Sequence, residues 1–96
     1  MSLLLHVRVF VLDNVVFNMC LEELVVPLMI GSLTVLSDHA PLVSVIGKGM
    51  IRLRFSAEWF SVPVIGGILE VEDNRVQLII DGMSDIDMAR WMDVWG

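Results

Sequence analysis

From Leu3 to Leu12 the chain alternates, with Leu3, Leu5, Val7, Val9 and Val11 on one side and Leu4, His6, Arg8, Phe10 and Leu12 on the other. Successive side chains of a strand point to opposite faces, so a period of two rich in β-branched residues predicts a strand. His6 and Arg8 mark its wetter face. Asp13-Asn14 has the composition of a turn, and Val15 to Phe17 resumes in extended form.

The same reading carries down the chain. Glu22-Glu23 precedes the β-branched run Leu24-Val25-Val26, and Pro27 should end that strand or place it on an edge. Gly31 permits the backbone to turn or to approach another chain closely. Leu33 to Leu36 predicts a short strand entering a polar turn, Ser37-Asp38-His39-Ala40-Pro41, and Leu42 to Ile46 the strand leaving it. Pro41 fixes its own φ and pushes Ala40 toward extended geometry, so this turn is stiff. Gly47-Lys48-Gly49 is the next turn. Met50 to Phe55 alternates, with Arg52 and Arg54 on one face and Ile51, Leu53 and Phe55 on the other. Ser56-Ala57-Glu58 turns the chain into Trp59 to Val64. Gly66-Gly67 then interrupts an apolar run ending at Val71, which suggests a bulge or a crowded backbone crossing. Glu72-Asp73-Asn74-Arg75 is a hairpin turn from which Val76 to Ile80 returns antiparallel.

The last segment has a different character. Ser84, followed three residues later by Asp87, resembles a capping box, and residues from Ile86 to Trp95 could form a short helix, marginal alone in water. Short strands punctuated by Gly, Pro and Asp/Asn, with no helix between them, give an all-β fold. The expected architecture is a compact β-sandwich of about 8–10 short strands over residues 1–84, with residues 85–96 starting a truncated C-terminal helix.

Ninety-six residues suit one domain, yet 56% of them are hydrophobic, against about 45–50% in an ordinary soluble domain. So small a body cannot easily hide that much apolar surface, which argues for burial against a partner. A net charge of −6, with Arg8, Lys48, Arg52, Arg54, Arg75 and Arg90 scattered, disfavours a nucleic-acid surface. Cys20 is the only cysteine, so an intrachain disulfide is impossible, and it is expected to pack as a small apolar side chain. The longest charge-free run, Leu24 to Ser37, is too short for the ~20 residues of a membrane-spanning helix and contains Pro27 and Gly31. No secretory signal is visible at the amino terminus.

Several pieces, in order, resemble a known family. Val26-Pro27, Gly31, Leu36-Ser37-Asp38-His39-Ala40-Pro41-Leu42, Gly49-Met50-Ile51-Arg52, Gly66-Gly67-Ile68-Leu69-Glu70-Val71 and Asn74-Arg75-Val76 are similar to the ε subunit of F-type ATP synthases, the δ subunit of mitochondria. Thr34 and Ser37 depart from the glycine and proline common in the family. The resemblance implies an amino-terminal β-sandwich in the central stalk, performing no chemistry itself. Its partners would be the γ subunit and the polar loops of the c ring, with α and β subunits reached indirectly. It would lie peripherally on an energy-transducing membrane. It implies a ring-facing loop at Met29, Ile30 and Gly31, with Ser32, Asp38, His39, Ala40 and Pro41 as further residues of the c-ring or γ interface, where His39 would help to hold the γ-facing surface. Family members usually continue into two antiparallel helices that can inhibit ATP hydrolysis; the chain is expected to hold at most the beginning of the first. Ile86, Asp87 and Arg90 resemble an element that binds ATP in some members, but Trp91 replaces its alanine, so no cofactor is expected.

Other chemistry finds little support. Ser37, Asp38 and His39 are the residue types of a hydrolase triad, but consecutive residues cannot present a relay. His39 is expected to bond nearby backbone or a neighbouring subunit. A metal site built from His6, His39 and a carboxylate has no supporting spacing. Glu22 and Glu23, as neighbours on a strand, should point to opposite faces. Trp59 is expected in the core, while Trp91 and Trp95 should share a helix face and bury against the sandwich or the γ subunit. The alternative from another class is a free-standing ligand- or nucleotide-binding β-sandwich module.

Overall fold

A computed structural model describes residues 4–11 and 14–81, and the side chains of these residues except 14–16. The helix expected at 85–96 and the boundary at 84/85 lie outside the described residues. The described residues form nine strands: β1 (Leu5–Val11), β2 (Asn14–Leu21), β3 (Glu23–Pro27), β4 (Ser32–Val35), β5 (Leu42–Ile46), β6 (Gly49–Phe55), β7 (Glu58–Val64), β8 (Gly67–Glu72) and β9 (Arg75–Ile80). They form a five-stranded sheet ordered β2-β1-β9-β8-β5 and a four-stranded sheet ordered β4-β3-β6-β7. The expected all-β sandwich is therefore observed.

Alternation builds the core. Leu5, Val7, Val9 and Val11 of β1 are buried, and so are Phe17, Met19 and Leu21 of β2. The facing sheet contributes Leu24, Val26, Ile51, Leu53, Val62 and Val64, and Leu69, Val71, Leu78 and Ile80 complete the layer from β8 and β9. Among the described residues no charged or polar side chain is buried. Burial of a whole aliphatic side chain contributes about 1.5–3 kcal/mol, so this layer supplies most of the drive to fold.

Turn chemistry joins the strands. Asp73 (φ 50°) and Asn74 (φ 60°) form the two-residue β8–β9 turn, and Ser56 (φ 51°) and Ala57 (φ 63°) the β6–β7 turn. Two positive φ angles match the right-handed twist of a hairpin. Ala57 is an unfavourable residue for that region, and its N–H donates to Glu22 Oε1 at 2.9 Å. Gly67 is a crowded crossing, as its sequence context suggests: a Cβ there would lie 2.2 Å from the Ile79 carbonyl oxygen. Pro27 ends β3, which is an inner strand. The register with β6 stops at Val25, so the missing N–H of Pro27 is not required there.

Four expectations are corrected. Trp59 is 42% exposed and outside the core, because the β7 alternation turns Phe60 inward instead; the Arg52 guanidinium lies over its ring, 4.8 Å from the centroid. Phe55 is exposed at the end of β6, although Ile51 and Leu53 on the same alternation are buried. Cys20 is exposed, since Met19 and Leu21 take the inward positions of β2. Glu22 and Glu23 do not diverge. Glu22 sits at the bend between β2 and β3, so both carboxylates reach Arg54, at 3.6 and 3.5 Å.

Candidate interaction surfaces

The two groups of expected interface residues lie at opposite ends of β4. Its four residues span roughly 13 Å at about 3.3 Å each. The structure therefore keeps Met29–Ser32 and Asp38–Pro41 apart.

At the first end, the chain leaves β3 and reverses between Leu28 and Gly31, where Leu28 N–H donates to the Gly31 carbonyl at 3.0 Å and Gly31 adopts φ 75°. Leu28 forms an antiparallel bridge with Ile46, and Gly47 N–H donates to the Pro27 carbonyl at 2.8 Å. The base of the turn is thus closed by its own hydrogen bond and tied to the end of β5. Its tip is bare: Met29 is 79% and Ile30 is 92% exposed. Leu28, Met29, Ile30, Val43, Val45 and Ile68 line a shallow apolar depression beside it. The apolar surface continues across the outer face of the five-stranded sheet, because Val45 pairs with Ile68, Ile68 with Ile79 and Ile79 with Phe10. Val45, Ile68 and Ile79 are exposed. Toward the other end, the same face becomes polar with Arg8, Gln77, Glu70, His6 and Arg75.

At the second end, the loop from Leu36 to Pro41 carries the chain from one sheet to the other. His39 N–H donates to the Leu36 carbonyl at 3.2 Å, and His39 Nδ1 donates to the Ala40 carbonyl at 2.7 Å. The histidine bonds nearby backbone, as expected. Asp38, at φ 63°, is held by Asn74: its N–H donates to Asn74 Oδ1, and its Oδ1 accepts from Asn74 Nδ2 at 3.2 Å. Asp38, Ala40 and Pro41 are exposed and His39 is half-buried. With Asp38 engaged by Asn74 and the His39 ring by Ala40, no Ser37-Asp38-His39 relay is assembled.

Asn74 is the residue that sequence reasoning did not place at this site. Its position in a hairpin turn was legible; its reach to a loop 36 residues away was not. His6 Nε2 is paired with Asn18 Oδ1 at 2.7 Å. Among the described residues, no three His, Cys, Asp or Glu side chains are grouped to hold a metal ion. No helix among them is long and apolar enough to cross a membrane. Ile86, Asp87, Arg90, Trp91 and Trp95 lie outside the described residues.

Residues 4–85 match the family model described as ATP synthase, Delta/Epsilon chain, beta-sandwich domain. The chain belongs to this family. An ATP synthase epsilon chain of Synechocystis is 40% identical over 78 residues, covering 81% of this chain and 57% of its own length. The chloroplastic ATP synthase epsilon chain of Emiliania huxleyi is 37% identical over 81 residues, covering 84% and 62% respectively. The chain thus spans about three-fifths of the length of these relatives. Among solved structures, the sandwich resembles a chain of the Euglena gracilis mitochondrial ATP synthase, OSCP/F1/c-ring, with a TM-score of 0.75 at 14% identity, over 83% of this chain and 52% of that one. It also resembles a chain of the Tetrahymena thermophila mitochondrial ATP synthase central stalk and c-ring, with a TM-score of 0.70 at 17% identity over 84% and 66%. At such identities the likeness is one of fold, and it agrees with the two sheets of the ε/δ sandwich seen here.

Proposed function

We propose that this chain is a non-catalytic central-stalk subunit of a rotary F-type ATP synthase, bridging the γ subunit and the c ring and so coupling proton translocation to ATP synthesis. The observation that carries the reading is the turn at Met29 and Ile30, a rigidly based apolar tip that is 79% and 92% exposed in a member of the ε/δ family. Leaving such side chains in water forgoes the free energy their burial would provide, so a partner surface is the natural cover. A sandwich with a packed core and two separate contact ends is also suited to transmitting force between two bodies.

In this proposal Met29, Ile30, Gly31 and Ser32 meet the c ring, while Asp38, His39, Ala40 and Pro41 contribute to the γ-facing surface. The chain would sit peripherally on an energy-transducing membrane through the complex, reaching α and β subunits only indirectly. The division into a sandwich at 1–84 and the start of a helix at 85–96 belongs to the same proposal, as does the absence of a working ATP site at Ile86, Asp87 and Arg90.

The test is reconstitution. Complexes rebuilt without this chain should hydrolyse ATP without pumping protons, and adding it back should restore coupling. The Met29→Asp, Ile30→Asp double variant should fold normally yet fail to restore coupling. Coupled pumping in complexes lacking the chain, or a solitary monomer with no rotor component attached in extracts, would overturn the proposal.

A further inference from the structure

The loop from Leu36 to Pro41 joins one sheet to the other, and among the described residues the hydrogen bonds that hold it, apart from its own His39–Leu36 and His39–Ala40 bonds, come from one distant residue. That residue is Asn74. Its side-chain oxygen accepts from Asp38 N–H, and its side-chain nitrogen donates to Asp38 Oδ1 at 3.2 Å. Its own carbonyl accepts from His6 N–H at 2.8 Å. Asn74 therefore joins three segments: the start of β1, the β8–β9 turn and the loop. Asn74 holds a positive φ in the two-residue turn, which sets the direction of its Cα–Cβ bond.

We infer that Asn74 is a positioning residue for the partner-facing loop, holding Asp38 in its left-handed conformation so that His39, Ala40 and Pro41 are presented in one fixed arrangement. The inference rests on the proposal that this loop meets a partner. Chemistry singles out asparagine for the task. It must accept from an amide and donate to a carboxylate at once; aspartate lacks the donor, and glutamine carries the same groups one methylene further out. A loop set in advance spares the partner the cost of ordering it, which is how a residue that need not touch the partner strengthens its binding.

Asn74→Gly separates the clamp from the turn, because Asp-Gly is itself a favoured dipeptide for two positive φ angles. In the full chain, N74G should keep a cooperative unfolding transition near that of the parent, while Asp38 amide hydrogen exchange accelerates about tenfold, the loss expected for one ordinary hydrogen bond. N74D should loosen Asp38 as well, since it sets two carboxylates against each other. The N74D/D38N double variant should restore protection, with donor and acceptor exchanged across the pair. A purely structural role for Asn74 would not be rescued by that exchange. Binding to γ subunit and c ring of the complex from which this chain has been stripped should weaken at least fivefold for N74G, on the ordering cost of a few side chains.

Unchanged Asp38 exchange in both N74G and N74D would overturn the clamp. Faster exchange with undiminished binding, in a background where His39→Ala does weaken binding, would overturn the positioning role alone. If neither N74G nor His39→Ala alters binding, the loop is no interface, and that part of the proposed function falls with it.

Discussion

Gly47 offers the sharpest test of how the Met29–Ile30 turn is supported. A Cβ at this position would lie 2.3 Å from the Leu28 carbonyl oxygen, 2.6 Å from its carbon and 3.0 Å from Met29 N. All three atoms are backbone, so no side chain can rotate away. Ordinary carbon–oxygen approach begins near 3.3 Å, and the turn would have to retreat by about 1 Å. Overpacking of this kind costs about 1–3 kcal/mol. The retreat would also break the Gly47–Pro27 hydrogen bond, a further loss of about 1 kcal/mol. Gly47→Ala should therefore destabilise the chain by about 2–4 kcal/mol, a large part of the roughly 5–14 kcal/mol typical of 96 residues. At about 4–8 °C per kcal/mol, Tm should fall by at least about 8 °C. Urea and thermal unfolding followed by circular dichroism would measure this, with the exposed neighbour Lys48→Ala expected within about 0.5 kcal/mol of the parent. A Gly47→Ala chain as stable as Lys48→Ala would refute the close approach on which the turn's rigidity rests.

Two smaller predictions concern the four-stranded sheet. Leu53 is fully buried, so Leu53→Ala should cost about 2–5 kcal/mol by urea titration, the range for cavities left in a packed interior. Arg54→Ala should cost under about 1 kcal/mol despite two ionic partners, because its side chain is 40% exposed and water screens the pairs; the difference from the parent should shrink further in high salt.

Strand faces and hairpins were legible in the sequence because they are local. The period of two in β1 and the Asp73-Asn74 turn each depend on neighbours within a few residues, and both stand in the structure as read. Trp59 shows where the local signal fails: alternation states that Trp59 and Phe60 face opposite ways, and large size alone does not decide which of them the facing sheet will cover. Cys20 was misread for the same reason, its apolar character outweighed by its register with Met19 and Leu21. Glu22 escaped the opposite-faces rule because the chain bends there. Of the proposed interaction surfaces, Gly31 signalled a turn and the family resemblance pointed to its loop, whereas the Asn74–Asp38 clamp required knowing which loops the sheets bring together. Nothing within a few residues of Asn74 announces a partner 36 positions earlier.

The pairing of β1 with β9 sets the order in which this molecule can be made. His6 lies beside Arg75, 69 residues further on, and the two strands run side by side in the interior of the five-stranded sheet. At about 5–20 residues per second, a ribosome delivers the second roughly 3–14 seconds after the first. During that interval the newborn β1–β2 ribbon carries an open hydrogen-bonding edge on β1, which the facing sheet cannot pair and on which unfinished chains adhere to one another. Cellular helpers that shield nascent polypeptides would be needed most before β9 emerges, and an arrest of synthesis ahead of Arg75 would leave a fragment unable to complete its central sheet.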